Sequence, residues 1–453
     1  MTPYQRVLAP QYQDGFSYPR IKSLVNSKEL PSARLVAIKT LNPEPIESEV
    51  SMLFTIYGQF MTHDFTLGVD NGANCSCKVN SEECFNIPIP KGDAVYKGTE
   101  CIPFKRNAAS LQRFDCFLGP REQINKITHF LDCSQIYGST DEKSKSLRQS
   151  YGGLLKASII PGSPFESLPL ADSKAGCPIG KRTGCFRAGD DRLAENTYLT
   201  GMHTIFLRRH NTIARKLSEL NPHWNDETLF NEAKAILNAQ YHHITYNEWL
   251  PILLGDKLMK KFNLYSSKQG YSHGYDPSIY PAIINSFATA TFRLHILVHN
   301  EVKKANRNME PFEPKLMEAA ILNSTDSYQH MDDICRGALS EVTYKHHYQV
   351  AESLHDNLFK DAFGKNTKTS LSSLNVQRGR DHGLPPYNKF RKLCGLKEAQ
   401  TFEDLYQDMD KVQVERLKQV YDSVHDIDLF VGGASERKMA DAMQGPTSTC
   451  NQF

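Results

Sequence analysis

No charge of one sign dominates this 453-residue chain: 53 basic residues stand against 51 acidic ones, a net of +2. A nucleic-acid or anionic-membrane partner has no electrostatic footprint here. No apolar run approaches the ~18 residues of a membrane span. The opening residues, MTPYQRVLAPQYQDG, hold no apolar core of the kind a secretory leader carries. Internal repeats, low-complexity tracts and Pro/Gly/Ser linkers are all missing, so one large domain over residues 1–453 is expected, although the length would allow about three. Hydrophobic residues at 40% and charged residues at 23% are ordinary for a globular chain.

The eleven cysteines break this plain pattern. Cys75, Cys77, Cys84, Cys101 and Cys116 crowd one stretch, and Cys177 and Cys185 form a second group. No pair has CxxC spacing, and only Cys75-Ser-Cys77 comes near it, so zinc is the weaker explanation. Disulfides formed in an oxidising compartment are the stronger one. The reading is a secreted or lumenal domain whose leader lies outside this sequence. An odd count leaves at least one thiol unpaired or intermolecular. The sequons Asn74-Cys-Ser and Asn323-Ser-Thr are compatible with glycosylation.

Alternating strands are scarce, and the periodicity favours helices. Residues 1–45, rich in Pro, Tyr and Ser, read as an extended arm, and 46–70 as a helix. Residues 71–120 read as an irregular, cysteine-stapled region. From 192 onward apolar residues recur at helical spacing. The stretch 225–250 opens with an acidic first turn, as a helix start favours. Further helices are expected over 279–299, 346–364 and 401–422. The fold class is mainly α, with few short strands and disulfide-stapled loops.

Chemistry concentrates first in Gly58-Gln59-Phe60-Met61-Thr62-His63-Asp64. On a helix Gln59 and His63 share one face, while Asp64 turns away by about 100°. One face then offers an amide and an imidazole for proton transfer, and the other a hard carboxylate for a cation. In Thr128-His129-Phe130-Leu131-Asp132-Cys133-Ser134, side-chain oxygens recur every second residue. With the Phe130 carbonyl they suit the six to eight oxygens that calcium takes. Two more blocks carry arginines and carboxylates, Arg187-Ala188-Gly189-Asp190-Asp191-Arg192-Leu193-Ala194-Glu195-Asn196 and Leu374-Asn375-Val376-Gln377-Arg378-Gly379-Arg380-Asp381-His382. A histidine pair, His295 and His299, sits in Phe292-Arg293-Leu294-His295-Ile296-Leu297-Val298-His299.

These blocks, in this order, resemble the animal haem peroxidases, the family of myeloperoxidase, peroxidasin and the peroxinectins. The resemblance covers essentially the whole chain. It stops at Gly445-Pro446-Thr447-Ser448-Thr449-Cys450, where the family continues through a basic, aromatic stretch, so a chain truncated at both ends is expected. The resemblance implies haem b and Ca2+ as cofactors. It implies His63 as the distal acid–base group, with Arg192 and Gln59 beside it. His295 becomes the iron ligand with His299 as the alternative, Asn375 its imidazole partner, and Arg378 a propionate partner. Asp64, Thr128, Phe130, Asp132 and Ser134 become the calcium ligands, and Glu195 a residue able to esterify a haem methyl. His203 and His210 are read as structural, and Arg380, Asp381 and His382 as an ion-pair corner. Disulfides Cys394–Cys450, Cys177–Cys185, Cys75–Cys84 and Cys77–Cys101 are implied in the same way.

Three departures stand out. Thr62 occupies the place of the family's second ester-forming Asp, so at most one ester, through Glu195, is available. Asn196 cannot form the sulfonium link of myeloperoxidase. The family's Phe-Arg-x-Gly-His is one residue shorter here, which on an ideal helix turns Arg293 by about 100° relative to His295. The implied function is a secreted peroxidase that reduces hydrogen peroxide and oxidises halide, thiocyanate or a phenolic (tyrosine-like) donor, with chloride disfavoured. The alternative is a peroxinectin-like adhesion protein using Lys91-Gly92-Asp93 toward an integrin-type partner. A third reading, a fatty-acid dioxygenase, needs a radical-forming tyrosine where this chain has Phe292.

Overall fold

The computed structural model describes residues 1–41, 46–110, 119–160, 163–171, 185–271, 273–360 and 367–452. Helices carry the architecture: α1 (Ala33–Thr40), α2 (Met52–Phe65), α3 (Thr197–Leu220), α4 (Asp226–His243), α5 (Thr325–Ser340), α6 (Leu371–Asp381) and α7 (Leu429–Ser435) are the ones that frame the site. Strands are short and occur as two-stranded antiparallel pairs among the described residues. β1 (Glu47–Ser51) and β4 (Val342–Tyr344) pair beside the start of α2, and β2 (Glu301–Ala305) pairs with β3 (Pro311–Leu316) against α5. The expected mainly-α fold with few strands is what forms.

Capping residues start the long helices where the sequence suggests. Asn196 accepts from Leu199 N at 2.8 Å to open α3, and Asn225 accepts from Thr228 N at 2.9 Å to open α4. α2 is buried almost all round. Its Phe60 stacks on Phe206 of α3 with centroids 4.8 Å apart and meets His203 edge-on at 4.9 Å. Burying such a ring stabilises the fold by about 2–3 kcal/mol. Gly58 lets Trp249 close over α2, because a Cβ there would lie 2.9 Å from the indole Cζ2. Trp249 Nε1 donates to Phe54 O at 2.8 Å.

Several expected spans are corrected. The arm over 1–45 is not extended throughout: Ser32 caps α1, and Arg34 inside it pairs with Asp93 at 2.7 Å and Asp356 at 2.6 Å. The helix expected over 46–70 begins at Met52, because β1 pairs first with β4. Residues 346–364 yield only a short helix, Glu352–His355, and 361–366 lie outside the described residues. Residues 401–422 divide into a 3-10 turn, Glu403–Gln407, and a helix, Lys411–Lys418.

The largest correction concerns 279–299. Asn285 N donates to Gln5 O at 2.7 Å, so the segment is tied to the N-terminal arm before it turns helical. A π turn, Phe287–Thr291, follows; Phe292 (φ −96°, ψ 38°) and Arg293 (φ −103°, ψ 69°) break it, and a 3-10 turn, Leu294–Leu297, resumes. Phe287 and Phe292 stack at 4.6 Å across the widened turn.

Cys75–Cys84, Cys77–Cys101 and Cys394–Cys450 are disulfides, as expected. Cys185 is disulfide-bonded; its expected partner Cys177, and also Cys116, lie outside the described residues. Cys133 and Cys335 are free thiols. No described helix is long and apolar enough to cross a membrane.

Candidate active site

A cavity of about 380 Å³ lies between α2 and the start of α3 on one side and the 287–297 segment with α6 on the other. α2 lines it with Thr55, Gly58, Gln59, Thr62 and His63, and with Thr66 just past its end. Those positions follow the helical period, so a polar stripe faces an interior space on an otherwise buried helix. Asp64, one residue on, points away into the Ser134 loop.

His63 is flanked by two carboxylates: its Nδ1 is 3.8 Å from Asp190 Oδ1, and its Nε2 is 3.5 Å from Glu195 Oε2. Asp190 begins the turn Asp191–Ala194 by accepting from Arg192 N at 2.9 Å. Its carboxylate also receives the Arg192 guanidinium through Nε at 2.9 Å and Nη2 at 2.7 Å. Burial opposes ionisation of Asp190, but Arg192 and His63 hold its carboxyl well below the usual range. Gly189 is required just before it, since a Cβ there would collide with the Ser134 carbonyl. Asp190 N donates to Gln135 O at 3.0 Å, tying the arginine block to the Ser134 loop. Gln59 Nε2 donates to Glu195 Oε2 at 3.0 Å, and Asn196 Nδ2 donates to Gln59 Oε1 at 2.8 Å. Thr62 Oγ1 donates to Gly58 O at 2.8 Å and offers no carboxylate.

On the facing wall His295 lies 3.1 Å from Asn375 through its Nδ1. Rotated about its last bond, the Asn375 amide presents its oxygen to an Nδ1–H, which leaves Nε2 free. Burial, then the Arg293 charge, lowers His295 to about 3, so the imidazole is neutral near pH 7, the form that binds metals. The break at Phe292–Arg293 removes the helical-angle objection: Arg293 lines the same cavity as His295. His299 does not, because the chain leaves the 3-10 turn at Val298 (ψ 126°). It packs on Tyr344 with centroids 4.6 Å apart instead.

Arg378 also lines the cavity, its Nη1 donating to Asn107 Oδ1 at 2.8 Å and Lys105 O at 3.0 Å. Burial and the nearby Arg378 charge lower Arg293 to about 10. Among the described residues no carboxylate pairs with Arg293. Arg378 also meets Asp381 Oδ2 at 3.2 Å, so Arg293 is the cavity-facing guanidinium left for a ligand that carries carboxylates of its own. His295, neutral and backed by an amide, suits a metal ligand such as haem iron takes. On both counts the residues fit haem.

The Asp64 side is a nest of oxygens. Asp64 Oδ1 accepts from Ser134 N at 2.6 Å and Ser134 Oγ at 2.9 Å, and Oδ2 accepts from Cys133 N at 3.0 Å. Asp132 Oδ1 accepts from Thr128 Oγ1 at 3.1 Å and from Ser134 N at 3.1 Å. Burial, then the Asp132 charge, raises Asp64 to about 8. Facing carboxylates of this kind are what a dication relieves. The Phe130 side chain is exposed, so only its carbonyl is relevant there.

Other expectations resolve plainly. Arg380 is held by Asp428 at 2.9 and 2.7 Å, Asp381 by Arg106 at 2.8 Å, and His382 by Asn285 at 2.8 Å, a structural corner. His210 bonds Tyr137 Oη and Gly153 O, each at 2.9 Å, and His203 is buried against Phe60. The Lys91-Gly92-Asp93 triplet presents no free carboxylate. Asp93 is buried, bound to Arg34 at 2.7 Å and to the N–H groups of Val95 and Tyr96 at 2.8 and 3.0 Å. Sequence reasoning gave no role to Tyr4, which reaches the cavity from the N-terminal arm, or to Asp190 as the clamp on Arg192. Asp190 could have been found from its place as a cap two residues before Arg192. Tyr4 carries no such signal.

Comparison with known proteins assigns the chain to a class. The animal haem peroxidase family model matches residues 1–451, and the chain belongs to that family. It is 34% identical to the human peroxidasin homolog over 99% of this chain, but spans only 32% of that relative. It is 34% identical to a Drosophila melanogaster peroxidase, covering 99% of this chain and 68% of the relative, and 34% identical to Aedes aegypti chorion peroxidase, covering 98% and 57%. Peroxidase A of Dictyostelium discoideum superposes with a TM-score of 0.82 at 27% identity, over 99% of this chain and 85% of that one. An Oryza sativa fatty acid alpha-dioxygenase shares the fold, with a TM-score of 0.76 at 20% identity over 99% of this chain and 73% of that one. Family membership implies haem as the cofactor.

Proposed function

We propose that this chain is a haem peroxidase that reduces hydrogen peroxide and oxidises halide, thiocyanate or a phenolic donor. The observation that carries the reading is one cavity with His63 and Arg192 on one wall and the His295–Asn375 pair on the other. Bound between these walls, haem b supplies the iron redox centre at which the peroxide O–O bond is cleaved.

His63 takes the proton of the inner peroxide oxygen and returns it to the leaving oxygen. Asp190, at 3.8 Å from Nδ1, steadies the imidazolium formed in between. Arg192, held in place by Asp190, turns its positive charge toward the developing negative charge on the peroxide. His295 would hold the haem iron through Nε2, with Asn375 fixing its tautomer. Arg293 and Arg378 would receive the haem carboxylates. Thr62 leaves Glu195 as the sole residue of the expected pair able to form a haem ester. Asp64, Thr128, Asp132 and Ser134, with the Phe130 carbonyl, would hold Ca2+, which would stiffen the turn that carries His63.

The disulfides support secretion into an oxidising compartment. The adhesion alternative is disfavoured by the sequestered Asp93, and a dioxygenase by Phe292, whose ring cannot supply a phenoxyl radical. The absorption spectrum of haem-supplied protein, before and after one equivalent of peroxide, tests the proposal. A Soret band that shifts with peroxide is expected. Protein that takes up no haem would overturn the assignment.

A further inference from the structure

Most of the twenty tyrosines are buried or half-buried, as large amphipathic rings usually are. Two are not: Tyr271 is 90% exposed and Tyr275 is 88% exposed. A ring left so fully in water forgoes roughly 2–3 kcal/mol that packing would contribute. Both lie in the loop that follows the helix Asp256–Lys261. Asn247 Nδ2 holds one end of it, donating to Ser266 Oγ at 3.0 Å, and His129 Nδ1 holds the other, accepting from Ile283 N at 2.9 Å. Every described residue from 265 to 281 is exposed. Among the described residues neither the Tyr271 nor the Tyr275 hydroxyl has a hydrogen-bond partner.

The other exposed tyrosines are less available. Tyr265 Oη donates to Asp256 Oδ1 at 2.9 Å, and Tyr18 and Tyr280 keep less than half of their surface in water. Tyr151, 76% exposed, stands alone in a tight turn beside Gly152 and Gly153, both at positive φ. Only the 265–281 loop offers two free phenols four residues apart. It carries one lysine, Lys268, and one aspartate, Asp276, so two copies of it meet without net repulsion.

We propose that Tyr271 and Tyr275 are sites of oxidative tyrosine coupling, through which the peroxide reaction joins one copy of this chain to another. The coupling rests on the peroxidase reading and adds a covalent product to it. A tyrosine side chain is p-cresol attached to a backbone, so it belongs to the phenolic donor class. Each peroxide takes up two electrons and two protons as its O–O bond breaks, giving two waters, while two small phenols each lose one electron and one proton. Each phenoxyl radical then takes a hydrogen atom from an exposed tyrosine and is restored as the phenol. Two tyrosyl radicals on different copies form a carbon–carbon bond between their rings, and the two displaced ring hydrogens return to the phenol oxygens. The net change is one peroxide and two tyrosines to two waters and one dityrosine. A collision of two loops suffices, without a lasting interface. Two such rings per copy allow chains longer than a dimer, whereas one ring stops at a pair.

The test treats haem-loaded protein with peroxide and a trace of p-cresol. Products are run on a denaturing gel after disulfide reduction, dityrosine is followed by its fluorescence, and the bonds are located by peptide mass mapping. Wild type is expected to give a ladder of dimers and larger species, linked at Tyr271 and Tyr275. The double variant Tyr271→Phe/Tyr275→Phe keeps both rings and touches no cavity residue. It should lose most of the ladder while kcat/KM for p-cresol stays unchanged. A second arm needs no turnover: tetranitromethane, applied without peroxide, should nitrate Tyr271 and Tyr275 before the other tyrosines. A ladder undiminished in the double variant overturns the inference, as do bonds or first nitration mapped to Tyr151 or elsewhere. Fluorescence without larger species, a bond within one loop, overturns the joining of copies. Protein without a Soret band, or unable to oxidise p-cresol, fails the peroxidase reading itself, and the coupling falls with it.

Discussion

Glu436 offers a stability test that needs no cofactor. Its carboxyl is buried, accepting from Tyr387 Oη at 2.7 Å and from Thr447 N at 2.9 Å. Arg391 stands 4.0 Å away, but its charge is already taken by Asp408 at 2.8 Å. Burial therefore wins over these donors and raises Glu436 from 4.5 to about 7. The folded state thus binds a proton that the unfolded chain has released. Stability is flat below pH ~4.5, falls as the pH rises toward ~7, and levels off above it. The interval between the two values, at ~1.36 kcal/mol for each pH unit, amounts to about 3 kcal/mol. In a chain of this size that is a loss of roughly 3–6 °C in Tm between pH 4.5 and 7.5. Other groups titrate over the same range, so the informative quantity is the difference between wild type and Glu436→Gln, with disulfides intact. Glutamine stays neutral throughout, so the variant should show a shallower decline. Parallel Tm-versus-pH curves for the two proteins would refute the reasoning.

Replacing Asn375 with Ala leaves the His295 Nδ1 without its partner at 3.1 Å. Haem affinity should fall by about 10- to 100-fold, read as faster haem transfer to a competing apoprotein; unchanged retention would deny Asn375 its role. Chelation of calcium should lower Tm in wild type, while Asp132→Asn should already melt lower and respond little to the chelator. Equal responses of the two proteins would count against calcium at the Asp64–Ser134 nest.

Much of the site was legible because its residues come in short blocks with local geometry. Gln59 and His63 share a face by helical spacing alone, and Asp64 leaves that face for the same reason. Asp190, Arg192 and Glu195 are set by one capped turn. The readings that failed assumed local rules where distant packing wins. The 279–299 helix was broken by its tie to Gln5 and by the Phe287–Phe292 stack, and that break returned Arg293 to the cavity while removing His299. Lys91-Gly92-Asp93 looked like an accessible turn until Arg34, remote in sequence, buried its carboxylate.

By itself the sequence determined the helical class and the cysteine-stapled loops, because helical period and turn chemistry act over a few residues; the membership of each wall was implied by the resemblance to the family. Only the tertiary structure decided which walls face each other, that Tyr4 reaches the cavity from the arm, and that Glu195 is drawn to His63 through Gln59 and Asn196. Those outcomes depend on charges and amides meeting across long sequence separations. Their energies are set by burial and by the partner each group finds, and neither exists before the chain is packed.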